Sequence, residues 1–140
     1  MARAVIFGVL AGFGVAVLAI ILIKLITVPE ATAARSASIG WKLVTEHWIT
    51  QSLMVAGWAL ACAVGGSIAA RRLPQRWGEA SIAVAAILLL LGPLPEAVFS
   101  PRSITYTQIA YILVTIPVAL AAAWASARSR RRLAYSAPGS

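Results

Sequence analysis

The chain has 140 residues, of which 61% are hydrophobic and 11% are charged, and its formal net charge is +8 at pH 7. Soluble domains contain about a quarter charged residues, so this composition excludes an ordinary soluble protein. The single histidine and the single cysteine exclude an intrachain disulfide and a metal site built from several Cys or His ligands. Because a membrane-spanning helix needs roughly 20 apolar residues, the chain can form four spans joined by short connections.

The first predicted span covers residues 5–27 and contains one charged residue, Lys24, close to its end. Its apolar run is about twice as long as the core of a signal peptide, so we expect an anchor helix that is not cleaved. Pro29 follows and is expected to end the helix, because proline has no amide donor and its ring clashes with the preceding turn.

The longest polar connection covers residues 28–51, where apolar and aromatic residues are interleaved with polar ones. This pattern is typical of a helix that lies in the membrane interface. Trp41 and Trp48 suit the headgroup level, where tryptophan is enriched. The sequence therefore predicts a short interfacial helix between the first and second spans.

Three further apolar segments complete the predicted fold. They cover residues 53–70, 80–97 and 104–127. The middle one of these is the weakest, because Pro93 and Pro95 shorten its apolar run. Residues 1–133 are predicted to form one membrane domain, and residues 134–140 a disordered C-terminal tail.

Charge asymmetry favours four crossings and assigns their two sides. If all four segments cross, one side carries eight arginines: Arg3, Arg71, Arg72, Arg76, Arg128, Arg130, Arg131 and Arg132. The other side carries Lys24, Arg35, Lys42 and Arg102. Cytoplasmic loops hold the excess of Lys and Arg, so both termini are predicted to be cytoplasmic. The predicted fold class is an all-α membrane protein, a four-transmembrane-helix bundle.

The richness of the chain in alanine and arginine indicates a bacterial gene. The predicted location is therefore the bacterial cytoplasmic (inner) membrane.

Small residues at four-residue spacing predict the faces along which the helices touch. Helices in a bilayer associate by close contact and hydrogen bonds, which favours small side chains at their interfaces. The predicted packing face consists of Gly8, Gly12, Ala16 and Gly66. Two interpretations stay open: packing within a single bundle, and association of the first helix with a second copy or a larger membrane protein.

A candidate polar site on the outer face consists of Lys24, Glu46, His47 and Glu96. Ionisable groups at membrane depth are costly and commonly functional. One interpretation is that these side chains anchor their helices at the interface, where lysine can reach water. The other is a Lys24–Glu96 pair at the mouth of a cavity, with Glu46 and His47 as a weak metal or proton site. No catalytic, cofactor-binding or metal-ligating residue is assigned.

The arginine cluster after the last span predicts contact with lipid headgroups. It consists of Arg128, Arg130, Arg131 and Arg132. Each basic residue near an anionic membrane surface contributes about 1 kcal/mol of attraction. The cluster is short and adjoins a helix end, so we expect anionic lipids as its partners and no nucleic acid.

Taken together, these features resemble small, uncharacterised bacterial membrane proteins with four transmembrane helices. The resemblance covers a glycine-rich first helix with Gly8, Gly12 and Gly14, the loop carrying Glu46 and His47, the segment 65–72 at the end of the second helix, and Pro117 in the last helix. It implies the fold and the location, and it transfers no functional residue. Proton-coupled small multidrug transporters share this size, but they depend on a glutamate that the predicted first span lacks.

The leading functional hypothesis is a non-enzymatic accessory or structural subunit that acts by helix–helix association. The alternative is a carrier or pore component for a small apolar or lipid-like molecule, opening near Lys24, Glu96, Tyr106 and Gln108. A membrane enzyme would require Glu46, His47 and Glu96 to converge within hydrogen-bond reach.

Overall fold

The computed structural model describes residues 1–33, 48–93 and 106–136. Within these ranges the chain forms helices and no strand, which confirms the all-helical prediction for them. The elements are α1 (Ala2–Ala33), α2 (Trp48–Arg72), a 3₁₀-helix (Pro74–Arg76), α3 (Trp77–Leu91) and α4 (Tyr106–Ser136). The predicted interfacial helix, apart from Trp48, lies outside the described residues.

Three of these helices are long and apolar enough to cross a membrane. Their candidate spans are Ala2–Ile23, Thr50–Arg72 and Gln108–Arg130. Lipid offers no partner for backbone N–H and C=O groups, so a crossing segment has to satisfy them within its own helix. Large apolar side chains such as Leu10, Leu25 and Leu113 point outward and are each about two-thirds exposed. The described residues are thus those of a membrane protein.

Two helices extend further than the sequence indicates. The prediction that Pro29 ends the first helix is wrong, because α1 continues to Ala33. Proline removes a single backbone donor, and the helix continues for four residues beyond it. Helix α4 continues to Ser136, three residues into the segment predicted to be a disordered tail.

Helix α3 is shorter than the span predicted at residues 80–97. It has 15 residues and ends at Leu91, where the Gly92 amide donates to the Leu88 carbonyl at 3.0 Å. At 1.5 Å per residue it covers about 22 Å, less than the roughly 30 Å of the hydrocarbon core. Residues 94–105 lie outside the described residues.

The helices run alternately in opposite directions around α2. The backbone of α1 approaches α2 in antiparallel register, with Gly8 beside Gly65 and Gly12 beside Ala61. Helix α4 runs parallel to α2, because the contact of Trp58 with Thr115 is followed, further along both helices, by the contact of Ser67 with Ala122. Helix α3 packs on each of the other three helices.

The connection between α2 and α3 is closed by local sequence. Helix α2 ends at Arg72, one residue before Leu73, whose φ of −132° and ψ of 68° are not helical. A residue that precedes proline is driven out of the helical region by the proline ring. Pro74 then begins the 3₁₀-helix, where its missing N–H is not needed.

Small side chains fill the centre of the bundle. Residues buried there include Ala61, Cys62, Ala69, Ala80, Ala85, Ala119 and Ala123, all inaccessible to solvent. The largest fully buried side chains are Leu88 and Val84 of α3. Alanine and glycine let the helix backbones approach closely, so α3 supplies the bulk that the other helices lack.

Candidate functional site

The predicted polar site on the outer face falls where the structure gives no side-chain geometry. Glu46, His47 and Glu96 lie outside the described residues, and of Lys24 the structure describes the backbone, within α1. The Lys24–Glu96 pair and the convergence of the glutamates with His47 therefore stay predictions. The described residues supply two other sites, one between the helices and one at the basic end.

The glycines of α1 lie in direct backbone contact with α2. A Cβ placed on Gly8 would lie 2.8 Å from the Gly65 carbonyl oxygen, and one placed on Gly12 would lie 2.9 Å from the Ala61 carbonyl oxygen. Real Cβ atoms do not approach other heavy atoms this closely. Ala16, about one turn beyond Gly12, is 6% exposed and belongs to the same face. This stripe of α1 is covered by the chain's own helices.

Gly66 belongs to a different interface from the glycines of α1. A Cβ on Gly66 would lie 2.6 Å from the Ala119 carbonyl oxygen of α4. Gly65, its neighbour in sequence, faces Gly8 instead. Consecutive helix positions are about 100° apart around the axis, so the pair serves two partners. The residues predicted as one packing face thus form two contacts on adjacent sides of α2.

Sequence reasoning missed the small-residue stripe of α2 that meets α1. It consists of Gly57, Ala61, Gly65 and Ala69, all at four-residue spacing. Spacing predicts two other ladders on this helix, one of Ala59, Ala63 and Ser67 and one of Cys62, Gly66 and Ala70, because α2 is rich enough in small residues to offer several at once. The regular spacing was the available signal; the choice among stripes depends on where α1, α3 and α4 lie.

A polar cluster joins α2 to α4 near the middle of both helices. The Trp58 indole Nε1–H donates to the Thr115 hydroxyl oxygen at 2.8 Å, and the Thr115 hydroxyl donates to the Tyr111 carbonyl. The Trp58 and Tyr111 rings meet edge to face with centroids 6.0 Å apart. Cys62, one turn further along α2, is fully buried and lies within hydrogen-bond reach of Thr115.

The sequence pattern did not predict this polar cluster either. Tryptophan in membrane proteins is enriched at the two interfaces, whereas Trp58 lies ten residues into α2. Its position away from the helix ends was the signal that could have found it. At the end of α3, Gly92 leaves space for the Trp58 ring: a Cβ there would lie 2.5 Å from a ring carbon.

Two serine hydroxyls lie where helices touch. The Ser81 hydroxyl of α3 lies 2.6 Å from the Trp77 carbonyl oxygen and 3.5 Å from that of Gly66. The Ser67 hydroxyl of α2 donates to the Ala122 carbonyl oxygen at 3.4 Å. Interhelical hydrogen bonds of this kind contribute roughly 0.6 kcal/mol each in a membrane. The Ser67 hydroxyl therefore stabilises the contact of α2 with α4, whereas the Ser81 proton goes to the carbonyl of its own helix at the shorter distance.

Arginines from several helices meet at one end of the bundle. The exposed ones are Arg3, Arg71, Arg72, Arg76, Arg128 and Arg130. Two guanidinium groups lie over aromatic rings: Arg72 is 3.8 Å from the Phe7 centroid and Arg128 is 5.0 Å from the Trp124 centroid. Within the described part of the chain the one ion pair is Arg76 with Glu79, at 3.8 Å. This end is strongly positive.

The described residues include no group of three or more His, Cys, Asp or Glu side chains able to hold a metal ion. The arrangement they do show can join helices through the polar cluster and attract anions at the basic end. Comparisons of the chain with protein-family models, with curated proteins and with solved structures found no match. The resemblance to small bacterial four-helix membrane proteins therefore stays a prediction from the sequence.

Proposed function

We propose that the chain is a non-catalytic accessory or structural subunit of a bacterial cytoplasmic membrane, acting by association of its helices with a second copy or a larger membrane protein. The observation that carries this proposal is that the described contacts inside the bundle join its helices to one another. The backbone contacts at Gly8, Gly12 and Gly66 and the bond from Trp58 to Thr115 all serve to hold helices together. Such an interior suits a rigid scaffold that offers its outer faces to partners.

The proposal includes four crossings, with both termini in the cytoplasm. Helix α3 runs antiparallel to α2, and α4 then runs parallel to α2, so that Arg72 and Arg128 come to the same end. The excess of arginine at that end favours the cytoplasmic side. The segment after Leu91 would complete the third crossing, and residues 39–48 would form the interfacial helix on the outer face.

The outer faces of α1 and α4 are the surfaces that such a subunit would offer. On α1, Leu10 and Phe13 are 63% and 48% exposed, and on α4, Leu113 and Ile116 are 66% and 41% exposed. Lipid and protein cover apolar side chains equally well. Exposure alone therefore does not distinguish a face that contacts lipid from a face that contacts a partner protein. An experiment in the native membrane does.

Photo-crosslinking from these positions tests the proposal. A benzophenone amino acid replaces Leu10, Phe13, Leu113 or Ile116 in turn, and the exposed Gln75 at the basic end serves as the control. We expect at least one outer-face position to give a protein adduct of defined mass that Gln75 does not give. Lipid adducts alone from all four positions would contradict the proposal.

The interior also bears on the carrier alternative. A passage for an apolar molecule needs a gap between helices, whereas the contacts of Gly8 and Gly66 bring α1 and α4 against α2 without space for a methyl group. This closeness in the basic half supports the accessory role over the carrier role.

A further inference from the structure

Among the described residues, two arginines at the basic end, one from α1 and one from α2, have no carboxylate partner. Arg72 ends α2, and Arg3 lies in the first turn of α1. The acidic residue described at this end is Glu79, which pairs with Arg76. Both Arg3 and Arg72 are exposed. Their charges are therefore available to an anion from outside the chain.

Phe7 brings the two arginines to one place. The Arg72 guanidinium lies 3.8 Å from the centroid of the Phe7 ring, a cation–π contact between α2 and α1. Arg3 lies four residues before Phe7, and side chains at this spacing on a helix are neighbours about 6 Å apart. Arg72 thus lies on the Phe7 ring and Arg3 one helical turn from it, so that a shared ligand can reach both.

The chemistry of two adjacent guanidinium groups selects phosphate. An anion bound between two guanidinium groups favours the charge of both. Guanidinium is planar and donates paired hydrogen bonds that match phosphate oxygens. Arg3 and Arg72 lie at the ends of the candidate spans Ala2–Ile23 and Thr50–Arg72. In a membrane this is the level of the lipid phosphates.

The surface below the pair suits an acyl chain. Phe7 is 46% exposed, and Leu10 and Phe13 continue the apolar surface of α1 away from the arginines. We propose that Arg3, Arg72 and Phe7 form a binding site for one anionic phospholipid, with its phosphate on the two guanidinium groups and a chain along α1. The site is separate from the arginine cluster of α4 and requires only that the bundle lies in a membrane.

Native mass spectrometry of the full chain released from nanodiscs that mix phosphatidylglycerol with phosphatidylcholine tests this site. In the R3Q/R72Q variant we expect the apparent affinity for phosphatidylglycerol to fall roughly 100-fold, since each charge-assisted hydrogen bond to the phosphate contributes about a factor of 10. The control R76Q/R130Q removes the same charge elsewhere and is expected to retain the lipid. F7L keeps every charge and should weaken binding by a smaller factor.

Equal loss of phosphatidylglycerol in R3Q/R72Q and R76Q/R130Q would overturn the site, because binding would then follow net charge alone. Inorganic phosphate added in phosphatidylcholine nanodiscs separates the two sources of the anion. We expect no phosphate adduct on the protein in these discs. Free phosphate that binds as tightly as phosphatidylglycerol would overturn the lipid assignment. Flotation of the wild-type chain with phosphatidylcholine vesicles reports insertion on its own, and a chain that does not float would contradict the membrane placement.

Discussion

At the scale of single residues, two glycines within apolar helices differ in whether their position leaves room for a side chain. Gly66 lies where a Cβ would meet the Ala119 backbone at 2.6 Å, whereas a Cβ on Gly14 would meet nothing within 4 Å. The difference comes from the neighbouring helix, since both residues are helical. One glycine permits a helix contact, and the other only lacks a side chain.

The glycine contacts give a direct prediction about stability. Gly66→Ala should lower the free energy of unfolding by about 1 to 3 kcal/mol, because α2 and α4 have to separate to admit the methyl group. Gly14→Ala, the matched control, should leave it unchanged or raise it by up to about 1 kcal/mol, because alanine favours helix. Circular dichroism during SDS titration in mixed micelles measures both. Equal effects would contradict the packing described for Gly66.

At the scale of elements, the contact between α2 and α4 combines shape with polarity. Small residues let the backbones touch at Gly66 and Ala119, and the Trp58–Thr115 bond joins the same two helices closer to their N-terminal ends. Polar groups buried in lipid are retained where they find a partner on another helix. The two contacts together set the register of α2 on α4.

The Trp58–Thr115 bond predicts energetic coupling between these helices. In a double-mutant cycle with Trp58→Phe and Thr115→Val, the single changes should together cost about 0.6 kcal/mol more than the double change, because each alone removes the same bond. The cycle cancels the packing loss that each substitution causes by itself. Additive costs, measured by SDS unfolding, would show that the hydrogen bond contributes nothing to stability.

Element boundaries show where local rules were insufficient. Pro74 ends α2 as local sterics require, since Leu73 before it leaves the helical region. Pro29, which the same rule marks as a helix end, lies within α1. The Gly92 amide still bonds to Leu88 at the end of α3. The same residue type, proline, thus follows the end of α2 at Pro74 and lies inside α1 at Pro29. Local sterics alone do not determine whether a helix ends at a proline.

At the scale of the whole molecule, the alternating helices place Arg3, Arg72 and Arg128 at one end. Four crossings follow if α3 and the segment after it together span the membrane. The length of α3, 15 residues, does not reach across by itself. The side of the membrane on which the connection before α4 lies therefore decides the topology.

Cysteine labelling in a Cys62→Ala background tests this topology. With four crossings, Ser38→Cys and Ser103→Cys should react with a membrane-impermeant maleimide in intact cells. Gln75→Cys and Ser129→Cys, exposed at the basic end, should react only after permeabilisation. If the third crossing were missing, Ser103→Cys would be protected and Ser129→Cys would be labelled, which would contradict four spans.

Local composition is sufficient to predict the all-helical architecture, because lipid requires every crossing segment to satisfy its own backbone and apolar runs of this length can do so only as helices. The approximate positions of the long helices follow from the same requirement. Which stripe of α2 meets α1, why Gly65 and Gly66 face different partners, and how Trp58 reaches Thr115 depend on where the other helices lie. A helix rich in small residues offers several equivalent faces, and only tertiary packing selects among them.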